Sequence, residues 1–200
     1  MANRIFKLII ALFVLVLTSC DQSPLDKLLD PTGEGALGGG WGPWKIYDDQ
    51  LNTGGGVMLC PTDEHQTFAE VTGNPHSGTK CIKYSWDGQW VQGKNWTAAL
   101  LIVAPTWQEY GQEKDLGLGE YNKITFWVRG KLSSGTIRFE GPNTPGGTPS
   151  TTGPTPDPST WKMGTIDLSG FDLSHVKEFF KIVFDGGGGT VYVDDITYSK

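Results

Sequence analysis

Cysteine, histidine and methionine are scarce in this chain, with three of each in 200 residues. The scarcity excludes several chemistries. His65, His76 and His175 show no H-E-x-x-H spacing, so a zinc hydrolase has no ligand set. No C-x-x-C pair is present for a thiolate metal site. No G-x-S-x-G elbow marks a serine hydrolase. The glycine run Gly186–Gly189 is followed by neither a helix pattern nor a lysine, so it reads as a hairpin and not a phosphate loop. Internal repeats are absent, and no long stretch after the N-terminus carries a helix-period apolar pattern.

The one long apolar run, Leu8–Leu17, is too short to span a bilayer. Arg4 and Lys7 precede it, as in a signal peptide. Leu17-Thr18-Ser19-Cys20 then resembles the bacterial lipobox, in which the cysteine is diacylated and becomes the mature N-terminus. An ordinary secretory signal with a chance cysteine is the other reading. The resemblance implies residues 1–19 as a lipoprotein signal and a chain anchored through Cys20 in the bacterial cell envelope, on its periplasmic or cell-surface face. Residues 20–44 are rich in Gly and Pro and read as a tether. Without residues 1–19, 16 − 2 = 14 basic residues face 22 acidic ones, a net charge of −8. That balance argues against nucleic acid as a partner.

Residues 45–200 fit one domain in which strand signals dominate. Strands are predicted at Lys45–Asp48, Gln66–Thr72, Lys80–Trp86, Thr97–Ala104, Lys123–Arg129, Thr136–Glu140, Met163–Leu168, Phe179–Phe184 and Thr190–Tyr198. Many short strands separated by turn chemistry mean an all-β antiparallel sandwich or barrel. Short helical turns fit Trp107–Asp115 or Asp172–Glu178. Ile124, Phe126 and Val128 alternate with Thr125, Trp127 and Arg129, which puts the first set in a core and Trp127 on a sheet surface. Four glycines at Gly186–Gly189 offer the positive φ of a tight reversal. The Pro/Thr-rich stretch 141–160 reads as an insertion in preference to a mobile rim. An exported chain meets oxidising conditions, so a Cys60–Cys81 disulfide is expected, worth about 3 kcal/mol. Two buried free thiols are the other reading.

Aromatic residues cluster. Trp86, Trp90 and Trp96 share one polar segment, with Trp107, Tyr110 and Trp127 further on. A flat indole covers the C–H face of a sugar ring while Asn, Gln and Asp take its hydroxyls. Contact with glycan by some of these six is expected. Packing over the core is the other reading for each. Asp48-Asp49 near the start of the domain and Asp194-Asp195 near its end form an acidic pair of pairs. Facing carboxylates repel unless a cation lies between them, and Ca²⁺ takes such oxygens. Solvated rim carboxylates are the other reading. Glu109, Glu113, Glu120 and Glu140 show no pairing that would cleave a glycoside, and read as surface carboxylates.

Several segments together resemble a family. Trp161-Lys-Met-Gly-Thr-Ile-Asp-Leu-Ser opens a strand of the form W-x-x-x-x-I-D-L-S, and the chain closes on Val191-Tyr-Val-Asp-Asp-Ile. His76-Ser-Gly-Thr-Lys-Cys-Ile-Lys and Gly119–Gly130 match less specifically. Residues 45–200 resemble the jelly-roll, galactose-binding-like carbohydrate-binding modules attached to bacterial polysaccharide-degrading enzymes. The resemblance implies binding of a poly- or oligosaccharide without catalysis. It also implies a structural calcium held by the closing aspartates and an acidic residue near the start of the domain. A structural or protein-interaction envelope lipoprotein is the second reading, and a small glycoside-active enzyme the third.

Overall fold

The alternation expected around Trp127 is carried by the strand Lys123–Leu132, where Ile124, Phe126 and Val128 are fully buried. The computed structural model describes residues 43–52, 55–62, 64–104 and 117–200. The signal segment, Cys20, nearly all of the tether, Trp107 and Tyr110 lie outside the described residues. Eleven strands follow in chain order: β1 (Trp44–Tyr47), β2 (Gly56–Cys60), β3 (Gln66–Val71), β4 (Cys81–Trp86), β5 (Trp96–Ile102), β6 (Lys123–Leu132), β7 (Thr136–Glu140), β8 (Ser150–Thr151), β9 (Lys162–Asp167), β10 (Glu178–Asp185) and β11 (Gly189–Ser199).

They form two antiparallel sheets, a β-sandwich. One has the order β3-β4-β11-β6-β9, with β1 also paired to β11; the other has the order β2-β5-β10-β7-β8. Period-two patterning decides what each strand buries. Ile82, Tyr84, Trp86, Phe126, Val191 and Val193 from the first sheet meet Ala99, Leu101, Phe139, Phe180, Ile182 and Phe184 from the second. The rings interlock, with Phe126 4.5 Å from Phe139 and 5.1 Å from Phe180, centroid to centroid. Tyr198 crosses the sandwich and donates its hydroxyl to Phe179 O at 2.7 Å. That bond ties the end of β11 to the start of β10. Trp44, expected in the tether, belongs to β1 and packs edge-on against Phe179 at 5.4 Å.

Three further expectations are corrected. Residues 172–177 are irregular, with bends at 174, 175 and 177, and Glu178 already opens β10; no helical turn forms there, and Asp172 Oδ1 accepts Ser174 N at 2.9 Å. The 3₁₀ turn among the described residues is at Leu118–Glu120. Of the four glycines, Gly186 has a positive φ of 72°. Gly187, Gly188 and Gly189 are required for a different reason: a Cβ there would collide with the backbone of residues 86–88 and 131–134. Cys60 and Cys81 are free thiols and not a disulfide. The sheets explain why: Cys60 lies in β2 among residues of the five-stranded sheet's outer face, whereas Cys81 lies in β4, in the other sheet, out of step with its inward Ile82 and Tyr84.

The stretch 141–160 is anchored and is no plain insertion. Pro142, Pro149 and Pro156 are buried. Gly141 N bonds Pro149 O at 2.9 Å, β8 pairs with β7, and Gly130 N bonds Asp157 O at 3.0 Å. The segment thus extends one sheet and then ties to β6 of the other.

Candidate functional site

The outward side chains of the five-stranded sheet make a shallow trough of about 290 Å³. Strand register builds it. Lys181 of β10 lies between Leu100 of β5 and Glu140 of β7; Val183 lies between Ala98 and Arg138; Asp185 lies between Trp96 and Thr136. Cys60 of β2 stands beside Ala98. One half of the floor is therefore apolar, with Cys60, Ala98, Leu100 and Val183. The other half is charged, with Arg138, Glu140, Lys181 and Asp185. The small side chain of Ala98 leaves the depression, and Trp96 bounds one end. Thr97 behind Trp96 is fixed inside the core by Tyr84 Oη at 2.8 Å and by Gln66.

The charged half is a bonded network. Arg138 Nε donates to Glu140 Oε1 at 2.5 Å, and its Nη1 lies 3.7 Å from Asp185 Oδ2. Lys181 Nζ lies 3.0 Å from Glu140 Oε2, 3.3 Å from Glu178 Oε1 and 2.8 Å from Asn143 Oδ1. Burial would push the Glu140 carboxyl up; the Arg138 hydrogen bond and the Lys181 charge outweigh it and hold Glu140 below the usual carboxylate range. Glu140, expected as a bland surface carboxylate, is 14% exposed and twice ion-paired.

The predicted aromatics separate. Trp96 lines the trough. Trp90, 69% exposed, stands on the loop that leads into it. Trp86 packs into the core, the other of its two expected placements: it is 2% exposed, packs on Phe184, and donates Nε1–H to Gln89 O at 3.0 Å. It is the last inward residue of the Ile82, Tyr84, Trp86 set. Trp127 lies on the outer face of the other sheet, as its alternation predicts, but His76 covers one ring face at 3.8 Å. Beside it, Arg129 lies over Tyr192 at 4.2 Å and Trp161 at 5.2 Å. Sequence reasoning missed Arg138, Lys181, Asp185 and Asn143. The available signal was Lys181 itself, the lone charge inside the expected strand Phe179–Phe184, which demands a partner.

Three of the four aspartates, Asp49, Asp194 and Asp195, converge on one segment, residues 76–80. Asp194 is fully buried, and its Oδ2 accepts His76 N at 2.8 Å and Ser77 N at 3.3 Å while Oδ1 accepts Asp195 N at 2.8 Å. Asp195 binds His76 Nδ1 at 2.6 Å and Ser77 Oγ at 2.7 Å. Asp49 Oδ1 accepts Thr79 N at 2.5 Å and Lys80 N at 2.6 Å. Asp48 turns away to Lys45 Nζ at 2.5 Å. Burial raises the Asp194 carboxyl above its usual range, whereas the Lys80 and Thr79 amides lower Asp49. These oxygens face N–H and O–H donors, the reverse of what a cation needs. Among the described residues no three His, Cys, Asp or Glu side chains group to hold a metal ion. This donor set does not fit the calcium implied by the resemblance.

No family model matches the chain, and no curated protein does. Solved structures do. The family 11 carbohydrate-binding module of the cellulosomal cellulase Lic26A-Cel5E of Clostridium thermocellum aligns over 80% of this chain and 96% of its own, with TM-score 0.53 and 15% identity. A family 11 module from the same organism, in complex with a β-1,3-1,4-mixed-linked tetrasaccharide, covers 80% and 97%, with TM-score 0.54 and 17% identity. The family 30 module of its cellulosomal cellulase Cel9D-Cel44B covers 79% and 97%, with TM-score 0.53 and 17% identity. The likeness is one of fold: this chain has the jelly-roll β-sandwich of those modules.

Proposed function

We propose that this protein binds polysaccharide, without catalysis, in the trough of the five-stranded sheet. The observation that carries the reading is the division of the trough floor. Its apolar half, bounded by Trp96, suits the C–H face of a sugar ring. Its charged half presents Asp185, Arg138 and Glu140 as alternating acceptor, donor and acceptor. A sugar hydroxyl both donates and accepts, so neighbouring hydroxyls match that alternation. The trough volume of about 290 Å³ is at the small end for a ligand pocket, which suits a chain lying across the face more than a molecule engulfed by it. Likeness of fold to modules that carry this function supports the reading.

No catalysis is assigned to the trough carboxylates. A glycosidase acid needs a raised pKa, and Glu140 is held low by Arg138 and Lys181. The N-terminal pattern supports attachment of the module to a bacterial envelope membrane through lipidated Cys20. The tether would then let the domain reach polysaccharide beside that membrane.

The test is an affinity gel carrying mixed-linkage β-glucan or another neutral polysaccharide, run with the protein carrying Cys20→Ser. Retardation that is lost in Trp96→Ala or Arg138→Ala supports the trough. Retardation unchanged in both variants moves the site elsewhere. No retardation on any polysaccharide, with the protein folded, favours the scaffold reading.

A further inference from the structure

Lys181 occupies an unusual position for a lysine. It sits in the central strand of the five-stranded sheet, 8% exposed, with Phe180 and Ile182 buried on either side. An ammonium has three N–H donors and no acceptor. Here all three are matched: Asn143 Oδ1 at 2.8 Å, Glu140 Oε2 at 3.0 Å and Glu178 Oε1 at 3.3 Å. No N–H is left for a ligand. Glu140 differs. Each of its oxygens takes one partner, Arg138 Nε on Oε1 and Lys181 Nζ on Oε2, and a carboxylate oxygen can accept a second hydrogen bond.

We propose that Lys181 is a positioning residue for glycan binding: it fixes Glu140 on the trough floor and ties it to Asn143 of the adjoining Pro-rich segment, and does not itself touch the sugar. The assignment rests on the trough being the binding site. Geometry supports it from both partners. Glu140 is held across one register step of β7 and β10, so its carboxylate cannot rotate away without costing the buried Lys181 ammonium one of its two carboxylate partners. Asn143 arrives on the Pro-rich segment, where Thr148 also donates to its Oδ1 and its own N–H points at Glu178 Oε1 at 3.3 Å. One buried ammonium therefore locks two strands and the loop beside them. This gives the anchored 141–149 segment a role in the site.

The charges around Glu140 set the expected pH behaviour. Arg138 from its own strand, and Lys181, Glu178 and Asp185 from β10, are the charged groups of this face. The β5 residues there, Trp96, Ala98 and Leu100, carry no charge, and Cys60 of β2 adds one thiol. With Lys181 present, Glu140 ionises below the usual range, so binding holds above that range and falls only in stronger acid. Without it, Glu140 loses one of the two cations that hold its carboxyl down against burial, so it takes a proton at higher pH than in the wild type.

The experiment is affinity for mixed-linkage β-glucan measured from about pH 5 to about pH 8, for the wild-type chain and the Lys181→Met, Lys181→Arg, Glu140→Gln and Asn143→Ala variants. The wild type is expected to bind with a flat profile. K181M should bind about tenfold weaker at the upper end and lose further affinity as the pH falls. K181R should restore the flat profile, and E140Q should be weak throughout. N143A should be weaker with a flat profile, since it keeps every charge. Should K181M not fold, K181M/E178Q removes one buried charge of each sign and is expected to show the same loss of affinity. A K181M profile parallel to wild type, or full affinity in E140Q, overturns the assignment. A wild type that binds no glycan at any pH overturns the trough reading itself.

Discussion

His76 lies flat on Trp127, ring centroids 3.8 Å apart and planes 14° from parallel, while its Nδ1 reaches Asp195 Oδ2 at 2.6 Å. One side chain thus joins the ring stack and the aspartate clasp that hold residues 76–80 against β11. This clasp is built from aspartates at which the sequence resemblance implied a calcium. Replacing His76 with Ala removes the stack and leaves Asp195 short of a partner. A loss of about 1–3 kcal/mol in folding free energy is expected by chemical denaturation. Calcium or a chelator should leave the wild-type midpoint unchanged. A chelator-induced drop in the midpoint would show that a metal, and not this clasp, secures the segment.

The three clustered tryptophans should respond differently to truncation. Trp86→Ala empties a core position beside Phe184 and is expected to destabilise by about 3–5 kcal/mol. Trp96→Ala should weaken glycan binding with a smaller effect on stability, because its ring is half-buried at the trough end. Trp90→Ala, at a site 69% exposed, should leave stability within about 0.5 kcal/mol of wild type. Thermal midpoints and gel retardation on the same three proteins separate these outcomes. Equal stability loss in all three would contradict the burial pattern.

How much of this was legible beforehand varies residue by residue. The β6 alternation placed Ile124, Phe126 and Val128 inward because a strand has one side-chain period and two faces. The same rule applied to Ile82, Tyr84 and Trp86 would have buried Trp86. The adjoining Asp87-Gly88 drew it into the loop reading instead. The trough was not legible, for a physical reason. Arg138 and Glu140 alternate with buried Ile137 and Phe139 as any solvent-facing pair would. They become a site only because β10 pairs with β7 in the register that sets Lys181 beside Glu140 and Val183 beside Arg138. A pattern within one strand carries no record of its partner's register. β8 was missed for the related reason that two residues, Ser150 and Thr151, have no periodicity to read.

Gly164 tests the packing between β9 and β6. A Cβ at this position would enter the ring of Phe126, which packs tilted against Phe139 and edge-on against Phe180 in the core centre. Backbone freedom is not the issue; the space is. Gly164→Ala is expected to destabilise by about 1–3 kcal/mol through overpacking. The pair Gly164→Ala with Phe126→Leu should recover part of that loss. Denaturant midpoints at constant m-value provide the measurement. A neutral G164A variant would mean that the ring has room to shift.

Thiol labelling reports on both the fold and the site. Cys81 is fully buried, and burial pushes its thiol up to about 11, so near pH 8 it stays protonated and shielded. Cys60 is partly exposed on the trough floor beside Ala98. In the Cys20→Ser protein under native conditions, Cys60 should react first with an alkylating reagent, and Cys81 only on unfolding. A bound oligosaccharide lying across the trough should then slow labelling of Cys60 and leave Cys81 unchanged. Mass spectrometry of the two cysteine peptides distinguishes them directly. Labelling of Cys60 at the same rate with and without a bound glycan would place that glycan on another face of the sandwich, because a chain crossing the β5–β10–β7 floor must cover the thiol beside it.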